Sequence, residues 1–318
     1  MSPVAEVFAP AKVNLRLEIL GRRPDGFHEL ATWMMALDFG DELRLEVAAR
    51  GVVGESGASG PGMELTLSGP FATADIPTDE SNLVLRALAG ARARALDMGL
   101  DVGRLPLSVN LEKGIPSQSG LGGASSDARA ALQAFESLFD IDLGASWRRD
   151  LLGELGSDCV FFEGARDGAI GYCEGRGEKV SCTDVRAPDW VVAVVTPELR
   201  CATAKVFAGL AFPLSAPSQM PIVQRDMFIA RARDARRWMF NHLEGAAARQ
   251  FPEVTRWRAI LASAACDHFA FSGSGSSFFG LYEEEQDAAA ALEGIRREAL
   301  KQNTAVRGTW VARAHRRD

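Results

Sequence analysis

Residues 116–128 read Pro116-Ser117-Gln118-Ser119-Gly120-Leu121-Gly122-Gly123-Ala124-Ser125-Ser126-Asp127-Ala128. Just upstream, the stretch at 105–111 (LPLSVNL) alternates apolar and polar residues, the period of a half-buried strand. Downstream, Ala128, Ala131, Leu132, Phe135 and Leu138 recur at the spacing of one buried helix face. A strand therefore delivers the chain into a glycine-rich loop, and the loop opens a helix. Gly120, Gly122 and Gly123 let the backbone approach a ligand and take positive φ. The first N–H groups of the helix have no intrahelical partner. With the positive end of the helix dipole they make an anion site suited to a triphosphate. The hydroxyls of Ser117, Ser119, Ser125 and Ser126 add donors, and one of them can ligate Mg²⁺. A flexible Gly/Ser linker would need neither the strand before nor the amphipathic helix after.

The loop is not a Walker A motif, because no Gly-Lys-Ser/Thr follows its glycines. It is not the dinucleotide fingerprint either, since a correctly placed third glycine and an acidic residue about 20 positions on are missing.

Around this loop the chain has the composition of a folded protein. It has 318 residues, 47% hydrophobic and 24% charged, and 42 acidic against 35 basic side chains give a net charge of −7. That balance argues against a protein whose main work is holding nucleic acid or an anionic membrane, both of which need a cationic face. No window approaches the roughly 18–20 apolar residues of a membrane span, and the first 20 residues lack a basic region followed by an apolar one. The expectation is a cytoplasmic protein. Five cysteines, odd in number and never spaced C-x-x-C, suggest neither a disulfide framework nor a zinc site.

Further along, residues 4–47 read as strands with a turn at Pro24-Asp25-Gly26, and the Gly/Ser-rich stretch 51–62 reads as a loop or tip. Helical patterns cover 82–98, 225–242, 255–265 and 286–301; a buried strand covers 190–196 and a strand-turn 269–282. The polar segment 181–189 reads as a linker, which places a boundary near residue 186. Strands and helices mix without a βαβ rhythm, so the fold class is α+β. The arginines between Arg225 and Arg237 are interleaved with acids and read as a solvated helix face.

The segment from Pro116 to Ala128 resembles the P-x-x-x-G-L-G-x-x-S-S-x-A motif of the GHMP kinase superfamily. Within it, Ala9-Pro10-Ala11-Lys12-Val13-Asn14-Leu15, followed by Asp25-Gly26-Phe27-His28-Glu29-Leu30, is similar to the opening of the branch that phosphorylates 4-diphosphocytidyl-2-C-methyl-D-erythritol. Phe27 stands where tyrosine is usual. Leu155-Gly156-Ser157-Asp158, Gly175-Arg176-Gly177-Glu178, Asn241-His242-Leu243-Glu244 and Ser272-Gly273-Ser274-Gly275 match further segments in the same order, with Cys159, Val160 and His242 as departures.

The resemblance implies a two-domain GHMP kinase fold, with a ribosomal-protein-S5-like domain over 1–186 and a ferredoxin-like domain over 187–318. It implies transfer of the γ-phosphoryl of ATP to the 2-hydroxyl of the CDP-linked methylerythritol, with Mg²⁺ near Ser126 and the two ligands meeting between the domains. Pro116, Ser117, Gln118, Ser119, Gly120, Leu121, Gly122, Gly123, Ala124, Ser125 and Ser126 would hold ATP. Asp158 would take the proton of the alcohol, and Lys12 would keep that carboxylate ionised and offset alkoxide charge. Asn14, Phe27, His28, Phe207, Gly273, Ser274 and Gly275 would contact the substrate, His28 at the cytosine edge with Phe27 and Phe207 as stacking faces. Alternative readings are another GHMP kinase of the homoserine or mevalonate type, a non-catalytic metabolite-binding regulator, and an S5-like RNA-binding module, which the charge disfavours. The expected partners are a small molecule, no nucleic acid and no membrane, in a monomer or homodimer.

Overall fold

The computed structural model describes residues 3–48, 62–164, 168–211 and 231–316. Residues 51–61 of the glycine-rich stretch and 225–230 of the expected helix lie outside that set. Among the described residues no helix is long and apolar enough to cross a membrane. Strands and helices mix as the α+β reading requires, and the chain forms two compact units. One comprises residues 1–10, 40–117 and 123–163, the other residues 11–39, 118–122 and 164–318.

Two long strands, β1 (Val4–Arg22) and β2 (His28–Val47), contribute to both units. In the first unit the end of β2 pairs antiparallel with β4 (Leu107–Glu112), which pairs parallel with β3 (Met63–Ser68). Helices α1 (Leu83–Asp97), α2 (Gly123–Phe139), α3 (Ala145–Leu155) and α4 (Cys159–Gly164) complete it. α1 starts where the Asn82 side chain accepts the Val84 N–H, a standard cap. α2 buries the expected stripe of Ala128, Ala131, Leu132, Phe135 and Leu138.

In the second unit the start of β2 pairs antiparallel with β5 (Ala169–Gly175), which continues into the hairpin partner β6 (Lys179–Arg186). The segment read as a linker is therefore strand as far as Arg186, paired so that Gly171 faces Cys182 and Ala169 faces Arg186, with a register shift between the two pairs. A second sheet runs β11 (Val306–Ala312), β7 (Val191–Pro197), β10 (Phe278–Tyr282) and β9 (Ala270–Phe271), all antiparallel. It shares a core with helices α5 (Thr203–Ala208), α7 (His242–Gln250), α8 (Pro252–Ser263) and α9 (Glu285–Lys301), centred on Trp257, Phe269, Phe271 and Phe278. Burying each such side chain contributes about 1.5–3 kcal/mol.

The helix expected over 225–242 is not what the described residues form. A four-residue helix, α6 (Ala232–Ala235), and a 3₁₀ turn at Arg236–Trp238 lead into β8 (Phe240–Asn241), which pairs parallel with β1 at Arg16 and Leu17. Nor is Arg236 a solvated arginine: its guanidinium donates to the Leu281 carbonyl at 2.6 and 2.9 Å and stacks on Tyr282. Asn241 ends the strand and caps α7 by accepting the Leu243 N–H at 2.9 Å.

Candidate functional site

The glycine-rich stretch leaves β4 through Lys113 and Gly114 and enters α2 at Gly123. Both stems are held by a buried ion cluster that the sequence reading did not contain. Lys113 donates to Asp41 on β2 and, at 2.6 Å, to Asp127 on α2. Asp41 also accepts the N–H groups of Gly114 and Ile115 at 2.7 and 2.8 Å. All three charged side chains are buried. One ammonium cannot neutralise two carboxylates. Burial, the largest influence, lifts the Asp127 carboxyl well above its usual range despite Lys113. For Lys113, burial acts downward, but Asp127 and Asp41 carry the ammonium above its ordinary value.

Within the loop, Gly120 and Gly122 take φ of +78° and +76°, where a side chain would be strained. A Cβ at Gly120 would also overlap the Ser272 carbonyl oxygen. The glycine-rich loop and the Ser272–Gly275 segment are joined here: Ser272 Oγ donates to Gly120 O at 3.0 Å, and Ser277 N–H donates to Ser119 O at 2.9 Å. Leu121 is buried, and its carbonyl accepts the Lys12 N–H at 2.9 Å. Pro116 is buried and Gln118 exposed, the latter at φ +51°. Ser117 Oγ donates to Asp75 at 2.9 Å, so in this conformation that hydroxyl is engaged by protein.

The hydroxyl of Ser126 is buried and has no hydrogen-bond partner among the described residues. An orphaned oxygen just inside the helix start fits a phosphate or a phosphate-bound Mg²⁺, and leaving it unmade would cost about 1–3 kcal/mol. No group of three or more His, Cys, Asp or Glu that could hold a metal occurs among the described residues. A cation here would have to take most of its oxygens from a phosphate ligand and water.

Asp158 sits half-buried in the turn between α3 and α4. Its neighbour Cys159 is hydrogen-bonded to Ser125 on α2, and burial, the main cause, pushes the Cys159 thiol up to about 12. A Cβ at Gly156 would press on Cys159 Sγ at 3.2 Å. The Gly156-Ser157-Asp158 turn is thus packed against the first turn of α2.

Lys12 and Asn14 alternate along β1 and so share a face. Both are buried, and Lys12 Nζ donates to Asn14 Oδ1 at 2.6 Å. Asn14 in turn donates to Thr32 at 2.8 Å, which fixes its amide. A Cβ at Gly273 would lie 3.2 Å from Lys12 Nζ and 3.4 Å from Asn14 Oδ1, so the Ser272–Gly275 segment needs glycine there to pass this pair. Asn241 steadies that segment by donating to the Phe271 and Gly273 carbonyls, both at 2.8 Å. Ser274 shares a 2.8 Å hydrogen bond with Thr203, and Gly275 takes φ +92°.

Beyond the Pro24-Asp25-Gly26 turn, the His28 and Phe207 rings meet with centroids 5.3 Å apart. Phe27 is 53% exposed, and the Arg176 guanidinium lies 4.9 Å from its ring centre. Burial, then the charge of Arg22, hold the His28 imidazole below its ordinary value, which favours the neutral ring.

The family models described as GHMP kinases N terminal domain and GHMP kinases C terminal match residues 82–168 and 226–302. A 4-diphosphocytidyl-2-C-methyl-D-erythritol kinase from Rhodopirellula baltica is 34% identical over 304 residues, covering 90% of this chain and 89% of its own. One of the same name from Cereibacter sphaeroides is 33% identical over 321 residues, covering 98% and 99%. Among solved structures, a 4-(cytidine 5'-diphospho)-2C-methyl-D-erythritol kinase superposes with a TM-score of 0.71 at 29% identity, over 98% of this chain and 100% of that one.

Proposed function

This chain belongs to the 4-diphosphocytidyl-2-C-methyl-D-erythritol kinase family of GHMP kinases, and from that premise we propose how its own residues carry out the reaction. The protein is an ATP-dependent kinase that phosphorylates the 2-hydroxyl of 4-diphosphocytidyl-2-C-methyl-D-erythritol, a step in non-mevalonate isoprenoid precursor synthesis. It has the two-domain α+β fold of that superfamily. A division near residue 186 is part of the proposal; it falls between the two matched family segments, 82–168 and 226–302.

The γ-phosphoryl group is charged and the attacking alcohol is neutral, so the protein must bind a polyanion and remove a proton as the new bond forms. The N–H groups at the start of α2 and the loop from Pro116 to Ser126 bind the triphosphate. Positive φ at Gly120 and Gly122 supports this role, because it brings backbone rather than side chains to the ligand. Mg²⁺ would neutralise charge on the β- and γ-phosphates, and the orphaned Ser126 hydroxyl is the residue that would reach it. Asp158 accepts the proton of the 2-hydroxyl. Lys12, oriented by Asn14, offsets negative charge on the oxygen as the proton leaves. Gly273, Ser274 and Gly275 line the diphosphate of the substrate.

The observation that carries the substrate assignment is the meeting of His28 with Phe207 at 5.3 Å beside the exposed Phe27. Residues far apart in sequence converge into an aromatic group with one neutral hydrogen-bonding ring, which suits a pyrimidine edge and face. A homoserine or mevalonate kinase has no use for it. A small-molecule enzyme of the cytoplasm, monomeric or homodimeric, is part of the proposal, and the net charge of −7 disfavours a nucleic-acid or anionic-membrane partner. The test is direct: purified protein, ATP, Mg²⁺ and the CDP-linked methylerythritol should give ADP and a monophosphorylated product by mass spectrometry. Homoserine and mevalonate should give neither. Turnover of either alcohol in place of the cytidylyl substrate would reject the assignment.

A further inference from the structure

The β5–β6 hairpin turns on Gly175-Arg176-Gly177-Glu178, a motif that the reaction as described leaves unused. Its backbone is strongly constrained. Gly175 and Gly177 take φ of +74° and +117°. A Cβ at Gly175 would lie 2.8 Å from the Glu178 carboxylate oxygens. That carboxylate accepts the Arg176 N–H at 2.6 Å, and the Gly177 N–H donates back to Glu174 O at 3.0 Å. The result is a rigid tip with one long cationic side chain between two glycines.

Strand register decides where that side chain emerges. Gly175 pairs with Leu30 across the antiparallel β2–β5 ladder, so Arg176 comes out beside the residues that lead into β2. There its guanidinium carbon stands 4.9 Å from the centre of the Phe27 ring. The backbone of Phe27 is held separately: its N–H donates to Asp25 at 3.1 Å and its carbonyl accepts the Arg23 N–H at 2.8 Å. Phe27 has no polar handle to orient its ring, and an aromatic ring left 53% exposed would otherwise sample several rotamers. A guanidinium over the ring supplies an attractive contact that selects one of them.

We propose that Arg176 is a positioning residue for the cytidylyl half of the substrate: it holds Phe27 in the orientation on which the pyrimidine stacks. This rests on the reading of Phe27, His28 and Phe207 as the cytosine site. The ordering cost of the ring is met before the ligand arrives, so Arg176 acts on substrate affinity and leaves phosphoryl transfer alone.

The experiment compares Arg176→Ala, Arg176→Lys and Arg176→Gln with Phe27→Ala and with the double variant Phe27→Ala/Arg176→Ala. Steady-state kinetics with the CDP-linked substrate are paired with calorimetric binding of CMP. Arg176→Ala should raise KM for the cytidylyl substrate and the Kd of CMP about two- to fivefold, from the usual range of exposed cation–ring contacts. Its kcat, its KM for ATP and its thermal midpoint should stay at wild-type values. Arg176→Lys should recover part of the loss and Arg176→Gln little. Adding Arg176→Ala to Phe27→Ala should change nothing further, because the arginine acts through the ring. Unchanged KM and Kd in Arg176→Ala, while Phe27→Ala raises both, would overturn the role of Arg176 and leave the cytosine site standing. If Phe27→Ala and His28→Ala are also silent, the cytosine reading fails and the role of Arg176 fails with it.

Discussion

Lys113 Nζ donates to Asp127 Oδ2 at 2.6 Å, tying the strand end before the glycine-rich loop to the helix that follows it. The same ammonium reaches Asp41, whose other oxygen holds the Gly114 and Ile115 N–H groups. Removing it would leave the buried Asp41 and Asp127 carboxyl groups without their shared cation. Lys113→Met should therefore lower unfolding free energy by about 3–5 kcal/mol, read by urea denaturation. Asp127→Asn should cost less, because it keeps an acceptor for Lys113 and because burial already favours the neutral acid there. Equal losses in the two variants would remove Lys113 as the centre of the cluster.

Asp158→Asn tests the proton acceptor. The turn that carries it is held by neighbours, through Cys159 and Ser125 and through the close packing of Gly156, so the fold and ATP affinity should survive. Turnover should fall by about 10²–10⁴, the usual range for loss of a general base. A folded variant with near-normal kcat would take Asp158 out of the mechanism.

Gly122→Val tests the cradle. Its φ of +76° lies where a β-branched residue is strained, and the added methyls would crowd the approach of a phosphate. The Kd for ATP, measured by calorimetry, should rise at least about tenfold, while the thermal midpoint shifts by only a few degrees. Unchanged nucleotide affinity would mean that the phosphates bind elsewhere.

Local signals carried much of this architecture. The strand, glycine-rich loop and helix around residues 116–128 were legible because the strand period before the loop and the helix period after it agree, and α1 from its own helical pattern over 82–98. The hydrogen bond from Lys12 to Asn14 was not read from the sequence, although both lie in a segment read as strand. The helix placed over 225–242 went wrong because its start-of-helix signal lies at the end of that window: Asn241 followed by Glu244 is a capping pattern for α7. β6 was hidden by its polar residues, which suit a hairpin strand as well as a linker. The Lys113 cluster could not be read at all, since Asp41 lies 72 positions away and no periodicity connects them. The same holds for Arg176 over Phe27, which depends on the β2–β5 register.

The last prediction concerns pH and the cytosine edge. Burial and the charge of Arg22 place the His28 imidazole below its ordinary 6.5, so it is neutral in the working range and offers one donor and one acceptor. Protonation turns both nitrogens into donors and removes the acceptor. The sign follows: KM for the cytidylyl substrate should stay flat as pH falls past the ordinary 6.5 and should rise only below the lowered folded value, approaching about tenfold per pH unit once the cation predominates. The folded pKa lies below the unfolded one, so the ligand-free protein also loses a contribution to stability as pH falls past the ordinary value. His28→Asn keeps a donor and an acceptor without a titrating ring, and its KM should stay flat through the same window, at a higher but constant level. KM for ATP should show no inflection attributable to His28 in either protein. An acid rise in KM that persists unchanged in His28→Asn would assign the titration to another group and remove His28 from the base edge.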